Sequence, residues 1–240
     1  MSSLLEESLE SGASAMGINL EEKDIFLFRR YYDFLKEENS KYNLTSLEGE
    51  REVAVKHFLD SLSCASIIDF KGKKLVDIGT GAGFPGIPLK IYCHDINLLL
   101  VDSVKKKVNF LEALIEKLCL NGSEARWDRA ETMGKAAEFR EKADIVVSRA
   151  VAPLNVLAEL CLPLVKLGGY FLSMKGPGAG EELKAAEKAI NLMGGMVERI
   201  EKMRLPIIED ERNIILIKKS APTPRSYPRR EGIPAKRPII

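Results

Sequence analysis

Twelve consecutive residues carry most of the chemistry that this 240-residue chain announces: Leu75-Val-Asp-Ile-Gly-Thr-Gly-Ala-Gly-Phe-Pro-Gly86. Gly79, Gly81 and Gly83 let a backbone turn tightly and approach a ligand where a Cβ would clash. Pro85 suits the first turn of a following helix, whose free amides favour a negative ligand group. Gly81, Gly83 and Gly86 satisfy G-x-G-x-x-G, so a nicotinamide dinucleotide site is one reading. Asp102, 21 residues beyond Gly81, could accept both hydroxyls of a ribose under either reading. Asp77 favours S-adenosylmethionine. Two residues before Gly79, its carboxylate can meet the ammonium of an amino-acid-like cofactor, whereas a pyrophosphate gains nothing from that charge. A tight turn in a ligand-free α/β protein is the remaining alternative.

The elements that must position this loop are legible around it. From Lys73 onward, short apolar runs alternate with helical stretches: Leu75–Ile78, Ile96–Val101, Ala125–Trp127, Ile145–Val147 and Tyr170–Met174. Val104, Val108, Leu111, Leu114, Ile115 and Leu118 form one helix face; Leu154, Val156, Leu157, Leu160, Leu164 and Val165 form a second. Runs buried on both faces and separated by helices predict a parallel sheet covered on each side. Two more strands, Met196–Leu205 and Asn213–Ile217, are joined by the short polar segment Pro206–Arg212 and should pair antiparallel. That hairpin also favours S-adenosylmethionine, because a methyltransferase sheet has one reversed strand. Ahead of the sheet, Leu20, Ile25, Leu27, Phe28, Tyr31, Tyr32 and Leu35, then Val53, Val55, Phe58, Leu59, Leu62 and Ile67, recur at helical spacing. The expectation is a helical cap over 1–70, a cofactor-binding α/β domain over 71–218 and an arm over 219–240. One sheet plus a cap leaves little room for a separate dehydrogenase substrate domain.

Composition bounds the rest. The chain is 45% hydrophobic and 30% charged with a net charge of +1, which excludes a disordered or collagen-like polymer. No apolar run reaches the roughly 18 residues of a membrane span, and the acidic N-terminus lacks a signal-peptide layout. Cys64, Cys93, Cys119 and Cys161 are scattered, so a reduced cytoplasmic protein without a metal site is expected. Charge is unevenly placed. Residues from Lys218 to Ile240 carry seven cations against the single acid Glu231, a net of +6, which leaves −5 for residues 1–217. Five of the 11 prolines lie there too, so the arm should be extended and poorly self-ordered. It either holds phosphate backbone, with Tyr227 stacking on a base, or merely solubilises the chain.

The run Val76-Asp-Ile-Gly-Thr-Gly-Ala-Gly-Phe-Pro-Gly-Ile-Pro-Leu89 closely resembles that of the bacterial GidB/RsmG family, the 16S ribosomal RNA guanine-N7 methyltransferases. Tyr42-Asn-Leu-Thr-Ser46, His57-Phe-Leu-Asp-Ser61, Val147-Ser-Arg-Ala150, Lys175-Gly176 and Pro222-Thr-Pro-Arg-Ser-Tyr-Pro-Arg-Arg230 match in the same order. The resemblance implies a Rossmann-like S-adenosylmethionine-dependent methyltransferase, with a seven-stranded, mostly parallel sheet and one antiparallel strand. It implies a partner in the small ribosomal subunit, and a monomer is expected. It also implies cofactor contacts at Gly79, Phe84, Ala130, Glu131 and Arg149. To these the residue reading adds Asp77, Gly81 and Asp102.

Methyl transfer from a sulfonium mainly requires positioning and desolvation. Methylation at cytosine C5 would need a cysteine nucleophile after a strand, but Cys93, Cys119 and Cys161 fall in predicted helices. Methylation of an exocyclic amine usually employs an Asn/Asp-Pro-Pro-aromatic loop, where this chain has Ser148-Arg-Ala-Val-Ala-Pro153. Guanine N7 has an available lone pair and loses no proton; as the acceptor it comes from the family. Arg149 and Lys175 are the expected catalytic cations, placed for O6 or a phosphate. Arg149 ends a buried strand and must meet an anion, a structural ion pair being the alternative. His57 and Asp60 form either an acid–base pair or a His–Asp contact fixing the cap. Lys105, Lys106 and Lys107 oppose the dipole of their helix and face either phosphate or solvent. Asn43 and Ser46 should brace a turn.

Overall fold

Alternate residues of the central strands face two separate apolar layers. The computed structural model describes residues 3–42, 44–46, 49–149 and 152–240. Its strands are β1 (Lys74–Ile78), β2 (Asn97–Asp102), β3 (Ser123–Trp127), β4 (Ala143–Arg149), β5 (Val165–Lys175), β6 (Gly195–Arg204) and β7 (Glu211–Lys219). They form one sheet in the order β3-β2-β1-β4-β5-β7-β6. β1 to β5 pair in parallel, and β7 runs antiparallel to both β5 and β6, so one strand is reversed. Leu75, Leu98, Leu100, Leu172 and Ile214 point into one layer; Val76, Ile78, Val101, Phe171 and Ile215 point into the other. This period of two with both sides apolar makes each strand read as a continuous hydrophobic run.

The first layer is closed by the N-terminal helices: α1 (Leu4–Ala15), α2 (Glu22–Tyr42), then α3 (Glu50–Val53), a π-helical segment (Ala54–Leu59), α4 (Asp60–Leu62) and a 3-10 turn (Ser63–Ser66). Ser3 and Glu6 form a capping box at the start of α1. Gly12 permits close approach, since a Cβ there would lie 2.1 Å from a methyl of Leu59. These helices share one continuous core with the sheet, α5 (Gly86–Tyr92) and α6 (Lys105–Lys117). The second layer is covered by α7 (Ala130–Met133), α8 (Leu154–Cys161), α9 (Ala179–Leu192) and the C-terminal segment.

Three local expectations are corrected. Leu164 and Val165 do not extend α8: Pro163 lies in a 3-10 turn, Leu162–Leu164, and β5 starts at Val165. Cys93 and Cys119 stand just beyond α5 and α6 rather than within them; Cys119 takes a left-handed φ of 52° that stops helix growth. Asn39, not Ser46, braces the turn after α2, its carboxamide oxygen accepting from the amides of Leu44 and Thr45. Asn43 and Ala150 lie outside the described residues.

The arm is the largest departure. It is packed on the body, not extended. Arg140 donates to the carbonyls of Thr223, Pro224 and Tyr227. Glu159, almost fully buried, receives the backbone amide and both sides of the guanidinium of Arg229. Lys219 is buried with Glu141, Thr223 and the carbonyl of Met193, and burial pushes its ammonium down to about 8. The segment ends in α10 (Ile233–Lys236). Tyr227 is half-buried, packed against the second apolar layer. Pro228 sits close against Gly134, where a Cβ would lie 2.9 Å from its ring. Arg225, Arg230, Lys236 and Arg237 remain exposed.

Candidate active site

The glycine loop joins β1 to α5 at the C-terminal edge of the sheet, where ligands of open α/β sheets collect. The amides of Gly79 and Thr80 reach back to the carbonyl of Val101 on β2. Gly81 has φ 63°, and a Cβ there would meet nothing within 4 Å, so the loop presents open space at that residue. Gly83 is the opposite case. With φ 106°, its Cβ would fall 2.9 Å from the Tyr31 hydroxyl and 2.7 Å from Ile87. Tyr31 itself donates to the carbonyl of Ala82 at 2.5 Å, tying the helical N-terminus to the loop.

Asp77 is fully buried under this turn. Its Oδ2 accepts from Thr80 Oγ1 at 2.8 Å and from the Gly86 amide at 2.9 Å, while Oδ1 has no hydrogen-bond partner. Burial pushes the carboxyl up to about 6, against the hydrogen bonds from Thr80 and Gly86 and the Arg149 charge. Asp102 closes β2. Its Oδ2 accepts from the Gly81 amide at 3.0 Å and its Oδ1 from the Val104 amide at 2.9 Å. Lys107 stands 3.7 Å from the same carboxylate, and Lys105 lies over the Trp127 ring. After β3, Ala130 and Glu131 are buried in α7, and Glu131 Oε1 accepts from the Gly232 amide of the arm at 2.9 Å. Gly79, Gly81, Asp77, Asp102, Ala130 and Glu131 thus gather at the ends of β1, β2 and the turn after β3.

The other predicted residues assemble around β4. Arg149 donates through Nη1 to Asp60 Oδ2 at 3.0 Å and to the Lys56 carbonyl at 3.2 Å; Nη2 lies 3.1 Å from His57 Nδ1. Its anion is therefore a carboxylate of the protein. His57 and Asp60 do not form a direct acid–base pair: Arg149 stands between them. Burial and then the Arg149 charge push the imidazole down to about 3, so it is neutral at physiological pH. Phe84 is buried between the His57 ring, stacked at 4.4 Å, the Tyr31 ring and the Arg149 guanidinium at 4.9 Å. Asp60 also accepts from Arg212 Nε at 3.0 Å, so it bolts the helical N-terminus to β4 and β7. Lys175 is buried and paired with Glu182 at 2.7 Å, and also donates to the Ala152 carbonyl.

Lys56, His57, Asp60, Arg149, Lys175 and Arg212 line a cavity of about 500 Å3. The sequence reading missed Arg212 and Glu182. Neither lies in a motif, and each acts on a partner distant in the chain. It also missed that His57 sits on a π-helical turn, a feature common at functional sites. Among the described residues there is no cluster of three or more metal-ligating side chains and no helix long and apolar enough to cross a membrane.

Comparison with known proteins extends this geometry. Among solved structures, an S-adenosylmethionine-dependent O-methyltransferase of Thermotoga maritima aligns with a TM-score of 0.52 at 15% identity, over 79% of this chain and 72% of its own. MtNAS aligns at 0.56 and 17% identity, over 90% and 86%. At these identities the likeness concerns the fold alone. Sequence relatives are much nearer. Proteins named ribosomal RNA small subunit methyltransferase G share 50% identity in Pelotomaculum thermopropionicum, over 99% of this chain and all of that protein. Those of Desulforamulus reducens and Bacillus subtilis share 51% over 97% of each chain and 47% over 97% and 98%. The family model described as GidB, rRNA small subunit methyltransferase G, matches residues 24–215, spanning the cap helix α2, the glycine loop and the β7 end of the cavity. The chain belongs to the GidB family of small-subunit ribosomal RNA methyltransferases.

Proposed function

We propose that the protein transfers a methyl group from S-adenosylmethionine to N7 of a guanine in the 16S RNA of the small ribosomal subunit, in the cytoplasm. The observation that carries this reading is the end of β1. A buried carboxylate oxygen of Asp77 lacks a donor, in a loop whose Gly81 faces open space. A buried acceptor without a partner costs about 1–3 kcal/mol, and an ammonium would satisfy it. Asp102 would exchange the Gly81 amide for ribose hydroxyls. The Ala130 amide and the second oxygen of Glu131 would address the adenine. The residues present therefore fit the cofactor, which when bound supplies a methyl group made electrophilic by its sulfonium.

The chain's own groups bind, orient and exclude water. Phe84 and Tyr31 close the loop against the helical N-terminus. Arg149 and Lys175 act as positioning residues: Arg149 holds His57, Phe84 and Asp60 in register, and Lys175 fixes Glu182, which receives the Leu154 amide at the start of α8. No described group lining the cavity is poised to take a proton near neutrality through its imidazole or a thiol. His57 is held neutral, stacked on Phe84 with Nδ1 beside Arg149, and Cys64 and Cys161, which lie outside the lining, are buried with their thiols pushed up. An acceptor that loses no proton suits such a site. The exposed cations of the arm, with Arg230 adjoining the Glu231–Thr132 contact after β3, support an RNA-facing edge.

The test is transfer of radiolabelled methyl from S-adenosylmethionine to small ribosomal particles and to naked 16S RNA, followed by nucleoside analysis. Label in 7-methylguanosine is expected; label in any other nucleoside refutes the acceptor. Calorimetric heat with NAD and none with S-adenosylmethionine would refute the donor.

A further inference from the structure

The groups suited to the cofactor occupy one side of the sheet's C-terminal edge, at β1, β2 and the turn after β3. The 500 Å3 cavity occupies the other, at β4, β5 and β7, with Arg149 at the junction. Its volume falls within the roughly 300–1,000 Å3 of small-ligand sites. Its lining is unequal in charge: Lys56, Arg149, Lys175 and Arg212 surround a single carboxylate, Asp60. The residue is 5% exposed. Oδ1 receives Arg212 Nε and Oδ2 receives Arg149 Nη1. A carboxylate offers two lone pairs on each oxygen, so each oxygen retains an acceptor position beyond its guanidinium bond, on a residue that lines the cavity. Asn213, the neutral amide of the lining, is committed instead: its Nδ2 donates to the Gly176 carbonyl and to Glu211.

We propose that this cavity receives the target guanine and that Asp60 reads its Watson–Crick edge, accepting from N1–H and the 2-amino group. The inference rests on the function proposed above and names the substrate subsite within it. Its chemistry follows from the acceptor atom. The N7 lone pair forms the new N–C bond while the sulfur–methyl bond breaks with its electron pair remaining on sulfur. No proton moves, and the base gains one positive charge. Arginines and lysines alone would oppose that charge. A carboxylate on the opposite edge of the same base strengthens its hold as the charge develops, and an interaction that tightens in the transition state raises the rate rather than only the affinity. The two guanidiniums hold Asp60 fixed in direction, and they retain further N–H groups for O6. Adenine presents an acceptor at N1 and would face the carboxylate unfavourably, so the same residue selects against it.

Inosine differs from guanosine only in lacking the 2-amino group. Protein loaded with S-adenosylhomocysteine would be titrated with guanosine, inosine and adenosine monophosphates by NMR. Losing one hydrogen bond to a charged group corresponds to about tenfold or more in affinity. Guanosine monophosphate should therefore bind at least about tenfold tighter than inosine monophosphate. Asp60→Asn should bind the two alike while keeping its S-adenosylmethionine affinity within about threefold, and should lose methyl transfer mainly in kcat. Equal affinity of the wild-type protein for the two nucleotides overturns the proposal, whether or not the variant folds. Failure of wild-type protein to bind S-adenosylmethionine overturns the donor reading instead.

Discussion

Replacing Asp77 by Asn separates the stability of the empty loop from its capacity to hold a cation. Burial pushes the Asp77 carboxyl from its ordinary 3.8 up to about 6. At about 1.36 kcal/mol per pH unit, ionising it inside the fold costs about 3 kcal/mol. Below pH 3.8 both folded and unfolded chains carry the proton, and the group contributes nothing. Between 3.8 and 6 the unfolded chain ionises while the folded one retains its proton, so stability falls as pH rises. Above about 6 the loss is complete. An amide does not titrate, and any cost of its own is independent of pH. The stability of Asp77→Asn minus that of the wild type should therefore rise by about 3 kcal/mol between about pH 3.5 and 7. Urea unfolding at half-unit pH steps, without cofactor, measures this difference. At about pH 7.5 the same variant should bind S-adenosylmethionine at least about tenfold more weakly, because the acceptor that its ammonium would meet is gone. A difference that stays flat across the pH range refutes the assignment of strain to this carboxylate. Undiminished affinity refutes its role toward the ligand.

Three further outcomes are expected. His57, held down to about 3, is neutral in both states above pH 6.5; as pH falls toward 3 only the unfolded chain gains a proton, so the wild type should lose about 5 kcal/mol that His57→Gln retains, read from unfolding free energies down the acid limb. Arg229→Ala strands the buried Glu159 carboxylate and should cost about 3–5 kcal/mol, lowering the thermal midpoint, whereas methyl transfer below that midpoint should persist. Changing Arg225, Arg230, Lys236 and Arg237 together to Gln should leave stability nearly unaltered but reduce the salt slope of RNA binding by about 0.7 for each single-strand phosphate that these cations neutralise; an unchanged slope in filter binding would remove the arm from the RNA interface.

The parts of the fold readable from the sequence are those where local pattern and burial agree. Leu75–Ile78 and Ile145–Val147 put apolar residues on both faces, and their alternation with helical stretches is the pattern of a parallel sheet covered twice, so strand number, direction and the terminal hairpin were all accessible. The arm was not. Its prolines and cations suggest a solvated chain, but Arg140, Glu141 and Glu159, about 70–87 residues away in sequence, supply the carbonyl clasp and the carboxylates that hold it. Composition records what a segment contains, not which buried acid waits for it. The site divides in the same way. Gly81, Asp77 and Asp102 sit at fixed offsets from a turn and announce themselves. The partners of Arg149 do not, because a buried cation at a strand end demands an anion without specifying Asp60, and Arg212 enters from a strand 63 residues later.

The helical N-terminus couples the two halves of the site. Tyr31 holds the Ala82 carbonyl, Phe84 stacks on His57, and Asp60 joins Arg149 to Arg212, so these helices touch the loop and two of the three strands that border the cavity, β4 and β7. The contacts are short, buried and mutually dependent: Arg149 serves His57, Asp60 and the Phe84 ring at once. Removing Arg149 or Asp60 leaves a buried charged group without its partner, which costs several kcal/mol where an exposed pair would cost less than about one. A ligand that draws Arg149 or Asp60 toward itself must compensate those partners, and it can do so only by offering groups of matching charge at both ends of the site. A donor with an ammonium and an acceptor base with two adjacent N–H groups meet that requirement together, whereas a dinucleotide pyrophosphate would bring an anion toward the buried carboxylate of Asp77.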